Sequence, residues 1–397
     1  MHNPDPSALR VLQIVDTLGM GGAETWLMEV LRLWSKTGSV QMDFLLTSGN
    51  KGIFDDEAAS LGAKLHYLKF GKATLLSFRR EFRRILSEGY YQVVHDHQDY
   101  ASGWHFLLGG CTLPPVRVTH VHNPSYQIQN NYGVSASRRL TARLGKYFVS
   151  RYATHIAGTS RQVLTEYGMD VSAFQHIPKA ALHCGFDPNR FAGDQYTKSD
   201  SVRAEFQWPV DSKVILFAGR IDQSADPTHP QNHKNSAFAV DVGIEIAQRE
   251  PSVRLLLAGK PNGATTVLED RIRSAGLSDR IRFIGIRHDI DRLMLGCDAL
   301  LFPSRGEGLG MVAVEAQAAG LPVLASDAVP RECVISPELV TFLPLNGDTK
   351  AWASEMAHLL NQPRNSKAGN EAVKNSPFAL AHSAEAMWKL YGRGSFS

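Results

Sequence analysis

This chain predicts an α/β protein built from two doubly wound domains in tandem. Three features carry that expectation. Its 397 residues exceed what one ordinary core organises. Short apolar runs alternate with helical stretches in both halves, the pattern of parallel strands joined by crossover helices. Near residues 183–212 the alternation breaks, where His183-Cys-Gly-Phe-Asp187 leads into the polar run AGDQYTKSDS. No internal repeat or low-complexity tract is evident.

In the first half, Val11–Val15 reads as a strand and Glu24–Ser35 (ETWLMEVLRLWS) as an amphipathic helix. Strands follow at Met42–Leu46 and Lys64–Leu68, then a helix at Leu76–Ser87. Gln92–His95 and Val116–Thr119 are the next strands, Ala136–Tyr152 a helix, and His155–Gly158 a strand. In the second half, Lys213–Ala218, Val253–Ala258 and Ile281–Ile284 read as strands, with helices at Asn235–Arg249, Thr266–Ala275 and Ile290–Cys297. Ala299–Phe302 is a buried strand that stops at Pro303. Met311–Ala319 is a helix closed by Gly320 and Pro322, and Val323–Ala325 is the next buried strand. Trp352–Leu360 and Ala379–Tyr391 complete the helices.

Composition narrows the function classes. Hydrophobic residues make up 43% and charged residues 20%, as in ordinary soluble domains. No window approaches 18 uninterrupted apolar residues, so no transmembrane helix is expected. The opening residues MHNPDPSALRVLQIVD lack a basic segment followed by an apolar one, so no signal peptide is expected. Cys111, Cys184, Cys297 and Cys333 are scattered without a C-x-x-C pair, as in reduced cytoplasmic proteins. The net charge of +3 gives no reason to expect nucleic acid as a partner. Basic residues exceed acidic ones by five over residues 1–190, and acidic exceed basic by two over the rest.

The densest chemistry runs from Ser304 to Asp327, SRGEGLGMVAVEAQAAGLPVLASD. Glu307 and Glu315 are eight residues apart, with Gly308-Leu309-Gly310 between them at the start of a helix. Free main-chain N–H groups and the helix dipole make such a start an anion site. A carboxylate beside a bound anion is then suited to holding hydroxyls. On spacing alone, two exposed glutamates on a strand–turn–helix account for the pattern equally well. The flanking Phe302-Pro-Ser-Arg-Gly-Glu-Gly-Leu-Gly310 and Ala319-Gly-Leu-Pro-Val323 go further. Together with the glutamates they resemble the E-x7-E motif of retaining glycosyltransferase family 4, the group 1 glycosyl transferases of exopolysaccharide and lipopolysaccharide type.

That resemblance implies the GT-B fold, two Rossmann-like domains facing across a cleft. Residues 1–190 would bind the acceptor, with a crossover helix at 376–397 returning to pack on them. Residues 191–375 would bind a nucleotide-sugar. Glu315 would hold the nucleotide ribose and Glu307 the transferred sugar, with Gly308, Leu309, Gly310 and Met311 at the diphosphate. Gly219-Arg220 follows a strand, and Lys234 comes 14 residues after Arg220. Cations at such strand ends stabilise negative charge on a leaving phosphate. The pair resembles the family's Gly-Arg…Lys. Gly259-Lys-Pro-Asn-Gly263 stands where relatives commonly have Gly-x-Gly, and Gly285-Ile286 resembles the strand end whose main chain reads the base.

Gly19-Met-Gly-Gly-Ala-Glu24 opens the first helix, but Glu24 replaces the third glycine of a dinucleotide fingerprint. The stretch resembles the family's GGAE loop, in which Gly21 and Gly22 approach the donor phosphates and Glu24 faces the acceptor. His120-Val-His122 and His95-Asp-His97 end two strands. Histidines there hydrogen-bond sugars, shuttle protons or ligate metals. No convincing third ligand is visible beside either pair, and no metal is expected. By resemblance His122 meets the donor hexose, with His120 as its alternative, and His95 and His97 lie on the acceptor side.

The expected activity is retaining hexosyl transfer from a nucleotide-sugar to a saccharide or lipid-linked acceptor, with no cofactor and with UDP-sugar favoured over GDP-sugar. The expected location is cytoplasmic. The basic stretches Arg79-Arg80-Glu-Phe-Arg83-Arg84 and Arg138-Arg139…Arg143…Lys146 suggest peripheral docking on an anionic inner membrane face. Four alternatives stay open: glycosylation of a small molecule, a GT-B sugar-nucleotide epimerase, a NAD-dependent oxidoreductase, and a catalytically silent sugar-binding partner.

Overall fold

The computed structural model describes residues 8–124, 135–192 and 202–392. The chain forms two compact units. Unit 1 is Met1–Phe186 with Leu380–Ser397, and unit 2 is Asp187–Ala379. The chain thus enters unit 2 at Asp187, ahead of the boundary expected after residue 190.

Unit 1 holds a seven-stranded parallel sheet in the order β3-β2-β1-β4-β5-β6-β7. Its strands are β1 (Leu9–Val15), β2 (Val40–Leu46), β3 (Leu65–Tyr67), β4 (Val93–Asp96), β5 (Val116–Val121), β6 (His155–Gly158) and β7 (Lys179–Ala181). Among its helices are α1 (Gly22–Thr37), α2 (Asp55–Ser60), α3 (Leu75–Gly89), α4 (Ala101–Gly109), α5 (Ala136–Tyr152) and α6 (Arg161–Glu166). Strand order reverses between β1 and β4. Open α/β sheets place ligands at such a switch point, beyond the carboxyl ends of the strands.

Amphipathic α3 buries Phe78, Phe82, Ile85 and Leu86 against Leu12, Ile14 and Val94 of the sheet. Helices α4 and α5 approach closely because both carry glycine at the crossing. A Cβ at Gly103 would lie 2.1 Å from the Gly145 carbonyl oxygen, and one at Gly145 2.3 Å from that of Tyr100.

Unit 2 has a six-stranded parallel sheet, order β10-β9-β8-β11-β12-β13. Its strands are β8 (Lys213–Ala218), β9 (Val253–Ala258), β10 (Ile281–Gly285), β11 (Ala299–Phe302), β12 (Val323–Ser326) and β13 (Val340–Leu343). The helices are α7 (Val202–Glu205), α8 (Ser236–Arg249), α9 (Thr265–Ser274), α10 (Ile290–Gly296), α11 (Met311–Ala318), α12 (Thr349–Leu359) and α13 (Ser366–Lys374). The switch point here lies between β8 and β11. The core gathers Ile215, Phe217, Leu255, Leu257, Leu301 and Leu324 under Val240, Ile246, Trp352 and Met356.

Half-buried Arg364 collects the carbonyls of Met294, Leu295 and Cys297 at the end of α10 and of Ala319 and Gly320 after α11. It satisfies helix C-terminal carbonyls that would otherwise be orphaned. Buried Gln317 on α11 donates to the Ala313 and Cys333 carbonyls and accepts from the Ile335 and Ser336 N–H groups. These contacts hold the helix that carries Glu315.

The last helix, α14 (Leu380–Leu390), belongs to unit 1. The indole N–H of Trp26 donates to Ser383 Oγ at 2.8 Å, and Ser383 Oγ donates to the His183 carbonyl at 2.6 Å. Gly185 allows the approach, since a Cβ there would lie 2.5 Å from Ser383 Cβ.

Candidate active site

Two loops meet at the unit 2 switch point. The first follows β8 through Gly219 and exposed Arg220 to Lys234. Buried Asp222 shapes it, accepting the N–H groups of His233 (2.9 Å), Lys234 (3.1 Å) and Ser236 (2.7 Å). Asn235, left-handed at φ 58, turns the chain into α8. The second loop follows β11. Arg305 N–H donates to the His233 carbonyl at 2.9 Å, and the Ser326 hydroxyl donates to the Ser304 carbonyl. So held, Lys234 Nζ lies 2.6 Å from Glu307 Oε1 and 5.5 Å from the Phe302 ring centroid.

Gly310 then turns into α11 at φ 92. A Cβ there would also press on Val329 and Phe302, at 3.0 and 3.2 Å. Leu309 is buried, while Gly308 and Met311 are half-buried at the helix start. Glu315, one turn inside α11, is half-buried and has no hydrogen-bond or ion-pair partner among the described residues. Burial pushes its carboxyl up to about 7, against the pull of the Arg190 and Lys234 charges.

Three glycines line the neighbouring strand ends. A Cβ at Gly259 would lie 1.9 Å from the Gly219 oxygen, so the β9 turn tolerates no side chain. Gly285 is left-handed at φ 68, and Ile286 beside it is exposed.

In unit 1, Gly21 and Gly22 are exposed at the start of α1. Glu24 folds back over Gly21, where a Cβ would lie 2.0 Å from its carboxylate oxygen. Burial raises the Glu24 pKa, and the Asp16 charge adds to the rise.

The histidines converge on the β1/β4 switch point. Gln13 pairs in register with His95, and residues two apart on a strand share a face. Gln13, His95, His97, His120 and His122 therefore cluster. His97 Nδ1 lies 2.8 Å from His122 Nε2, and His97 Nε2 lies 2.9 Å from Gln13 Oε1. His95 Nε2 lies 3.2 Å from His120 Nδ1, and His95 Nδ1 lies 2.8 Å from Tyr391 Oη. Trp26 stands edge-on to His97 and His120. Burial lowers the pKa of all four rings, that of His122 to about 3.

One expectation changes here. A third histidine does stand beside each pair, since nitrogens of His95, His97 and His120 lie within 4.8 Å of one another. Both nitrogens of His95 and of His97 also lie within hydrogen-bond distance of Tyr391, His120, His122 and Gln13. His95, His97 and His120 are also buried and in contact with one another. Of the four rings, His122 alone is half-exposed.

Four residues with a hand in these sites carried no motif. Asp222 read as loop and Tyr391 as the end of the last helix. Asp99, buried and left-handed at φ 50, accepts weakly from Asn123 at 3.4 Å beside His122. Burial raises its carboxyl to about 6. Gln13 did leave a signal, because a glutamine inside a buried strand must find partners.

Comparisons with known proteins agree with this architecture. The chain is 28% identical to EpsF of Bacillus subtilis strain 168 over 385 residues, 96% of this chain and 94% of that one. It is 27% identical over 316 residues to the D-inositol 3-phosphate glycosyltransferase of Mycolicibacterium smegmatis, 77% of this chain and 68% of that one. The crystal structure of Anabaena HepE in complex with UDP-glucose superposes with a TM-score of 0.74 at 17% identity, covering 97% of this chain and 99% of that one. Residues 21–171 match the glycosyl transferase 4-like domain and residues 212–362 the glycosyl transferases group 1 family, so the chain belongs to the group 1, family 4-type glycosyltransferases of GT-B fold.

Proposed function

We propose that this glycosyltransferase moves a hexose, with retention, from a nucleoside-diphosphate sugar to a hydroxyl acceptor in exopolysaccharide, lipopolysaccharide or glycolipid synthesis. The observation that carries the reading is the Lys234–Glu307 pair at the start of α11, the helix that also bears partnerless Glu315. Cations and main-chain N–H groups suit a diphosphate, and carboxylates beside them suit hydroxyls. In this reading Arg220, Lys234 and the N–H groups of Leu309, Gly310 and Met311 take the diphosphate. Glu315 holds the ribose and Glu307 the sugar. Gly219, Gly285 and Ile286 lie along the nucleotide. UDP is the favoured nucleotide, in keeping with the UDP-glucose held by HepE. On unit 1 the residues assigned by resemblance are Gly21, Gly22, Glu24 and His122.

The bond between the sugar C1 and the β-phosphate oxygen breaks as the acceptor oxygen attacks the same face. The acceptor proton passes to the departing phosphate, yielding glycoside and nucleoside diphosphate. That balance requires no protein nucleophile.

A thermal-shift panel of UDP-, GDP-, ADP- and TDP-sugars tests the reading, because a ligand that binds only the native state raises the midpoint. UDP-sugars should raise it most, and no rise with any of them would remove the donor site. Incubation with donor alone separates the rivals. Slow hydrolysis marks a transferase, an epimerised nucleotide-sugar an epimerase, and binding without turnover a silent partner.

The acceptor has two readings, each with an observation behind it. The mycobacterial relative named for D-inositol 3-phosphate favours a small molecule. A lipid-linked acceptor is favoured by α5, which exposes Leu140, Leu144 and Tyr147 among Arg138, Arg139 and Arg143. A cavity of about 370 Å³ lined by Phe70, Leu75, Tyr100 and Trp104 lies beside it, at Thr141. The basic face is smaller than its sequence suggests. Arg83 donates to the Leu108 carbonyl, Arg84 pairs with Glu81 and Glu88, and Lys146 donates to the Tyr167 carbonyl. Among the described residues no helix is long and apolar enough to cross a membrane.

A further inference from the structure

We propose that Gln13 and Tyr391 are positioning residues for His122: a single oriented hydrogen-bond chain, His122–His97–Gln13–Tyr391–His95–His120, keeps the His122 proton on Nε2 and leaves Nδ1 as an acceptor for a ligand hydroxyl. The role of the ligand rests on the reading that His122 meets a sugar. The orientation of the chain does not.

The amide of Gln13 sets the direction, since its oxygen only accepts and its nitrogen only donates. Oε1 lies 2.9 Å from His97 Nε2, so that nitrogen carries the proton. A neutral imidazole has one N–H, so His97 Nδ1 is an acceptor. His122 Nε2, 2.8 Å away, must donate to it. Nδ1 of His122 then keeps its lone pair, and it has no partner among the described residues.

On the other side, Gln13 Nε2 donates to Tyr391 Oη at 3.2 Å. The Tyr391 hydroxyl hydrogen goes to His95 Nδ1 at 2.8 Å, and His95 Nε2–H donates to His120 Nδ1 at 3.2 Å. The last proton sits on His120 Nε2. The interior disfavours charge on all four rings, so each carries one proton.

Turning the Gln13 amide over would reverse every link, placing each histidine proton on Nδ1 and making His122 a donor. One feature opposes the reversal. The forward chain places all four protons on Nε2, the nitrogen a free histidine side chain itself prefers. Bonds aligned in this way polarise one another, so the preferences of the four rings act together. Gln13 and Tyr391 are 378 residues apart, so the C-terminal segment sets what His122 offers. A hydroxyl hydrogen is welcomed at Nδ1, whereas a carboxylate, carbonyl or phosphate oxygen meets a lone pair.

Nitrogen-15 NMR of histidine-labelled, unliganded protein reads each tautomer directly, with the His122 signals assigned from His122→Gln. The expected result is His95, His97, His120 and His122 each in one neutral form with the proton on Nε2. A proton on Nδ1 of His122 in the wild type would overturn the proposal. Tyr391→Phe removes one hydroxyl and keeps the ring. It should free the Gln13 amide to turn over and give His122 a second, Nδ1–H set of signals. His122 remaining wholly Nε2–H in that variant would sink the single chain, because a merely structural tyrosine would leave the tautomer unmoved. Neither measurement uses a nucleotide-sugar, so its failure and that of the transferase reading are told apart.

Discussion

Lys234 Nζ and Glu307 Oε1 are 2.6 Å apart, although 73 residues separate them in the chain. Both side chains are largely shielded from water, so their attraction is screened less than that of a surface ion pair, at the cost of desolvating both charges. Each is held toward the helix start by its own loop, one organised by Asp222 and the other by Gly310. A donor entering there finds the cation and the carboxylate already fixed, one for phosphate and one for hydroxyls.

Glu307→Ala and Arg220→Ala should therefore each cut turnover by ~10²-fold or more, as expected for lost charge stabilisation in the transition state. Circular dichroism and thermal midpoints close to wild type would show the fold intact. Wild-type rates in both variants would defeat the assignment.

Asp222→Ala tests the loop behind Lys234. It leaves the N–H groups of His233, Lys234 and Ser236 without their carboxylate acceptor. A loss of about 1–3 kcal/mol in stability is expected, with weaker diphosphate binding. Urea unfolding and UDP titration measure the two effects separately. An unchanged UDP affinity would mean that Lys234 holds its place without Asp222.

Glu315 makes nucleotide binding pH-dependent. Its folded carboxyl sits at about 7, above the ordinary 4.5, so burial disfavours its ionised form. The resulting destabilisation is absent below about 4.5, grows as pH rises toward 7, and is complete above it. Ribose hydroxyls donate to the ionised carboxylate, so binding lowers its pKa and releases protons. UDP affinity should rise between about pH 6 and 8 and then level off. Calorimetry at pH 7 in two buffers of different ionisation enthalpy should show about half a proton released per nucleotide. Glu315→Gln should abolish the release. A release that persisted in the variant would assign it to another group.

Much of this was legible in the sequence because both sheets are parallel and buried, and such strands read as apolar runs. The strands at 155–158, 213–218 and 253–258 and the helix at 136–152 fall where the pattern puts them. The short edge strands β7 and β13 were not visible. Lys179–Ala181 offers only three residues, and Val340–Leu343 is half-buried throughout, without the buried stretch that marks the inner strands. Helix α4 escaped because ASGWHFLLG is apolar almost all round and has no polar face to set a period. In the site, motif spacing pointed to Glu307, Glu315 and Arg220. It could not reveal that Lys234 faces Glu307, that histidines from two strands share one chain, or that a tyrosine at residue 391 completes it. Those are products of register and of the returning C-terminal helix.

Membrane docking supplies the last test. Helix α5 exposes Leu140, Leu144 and Tyr147, spaced four and three residues apart and so on one face. Arg139 and Arg143 flank them, and Arg79 and Arg80 are exposed on α3. An apolar stripe edged by cations is the pattern of a helix lying in a headgroup layer, held partly by charge and partly by insertion. The wild type should float with vesicles containing anionic lipid at low salt, and less so at high salt. Leu140→Ser with Leu144→Ser and Tyr147→Ser should reduce flotation even at low salt, since charge alone leaves the stripe uninserted. Arg79→Glu with Arg80→Glu and Arg143→Glu should reduce it further and flatten the salt dependence. Donor hydrolysis in solution should stay near wild type in both variants, because none of these side chains belongs to the donor site. Failure of the wild type to bind at low salt would leave the small, water-soluble acceptor as the reading.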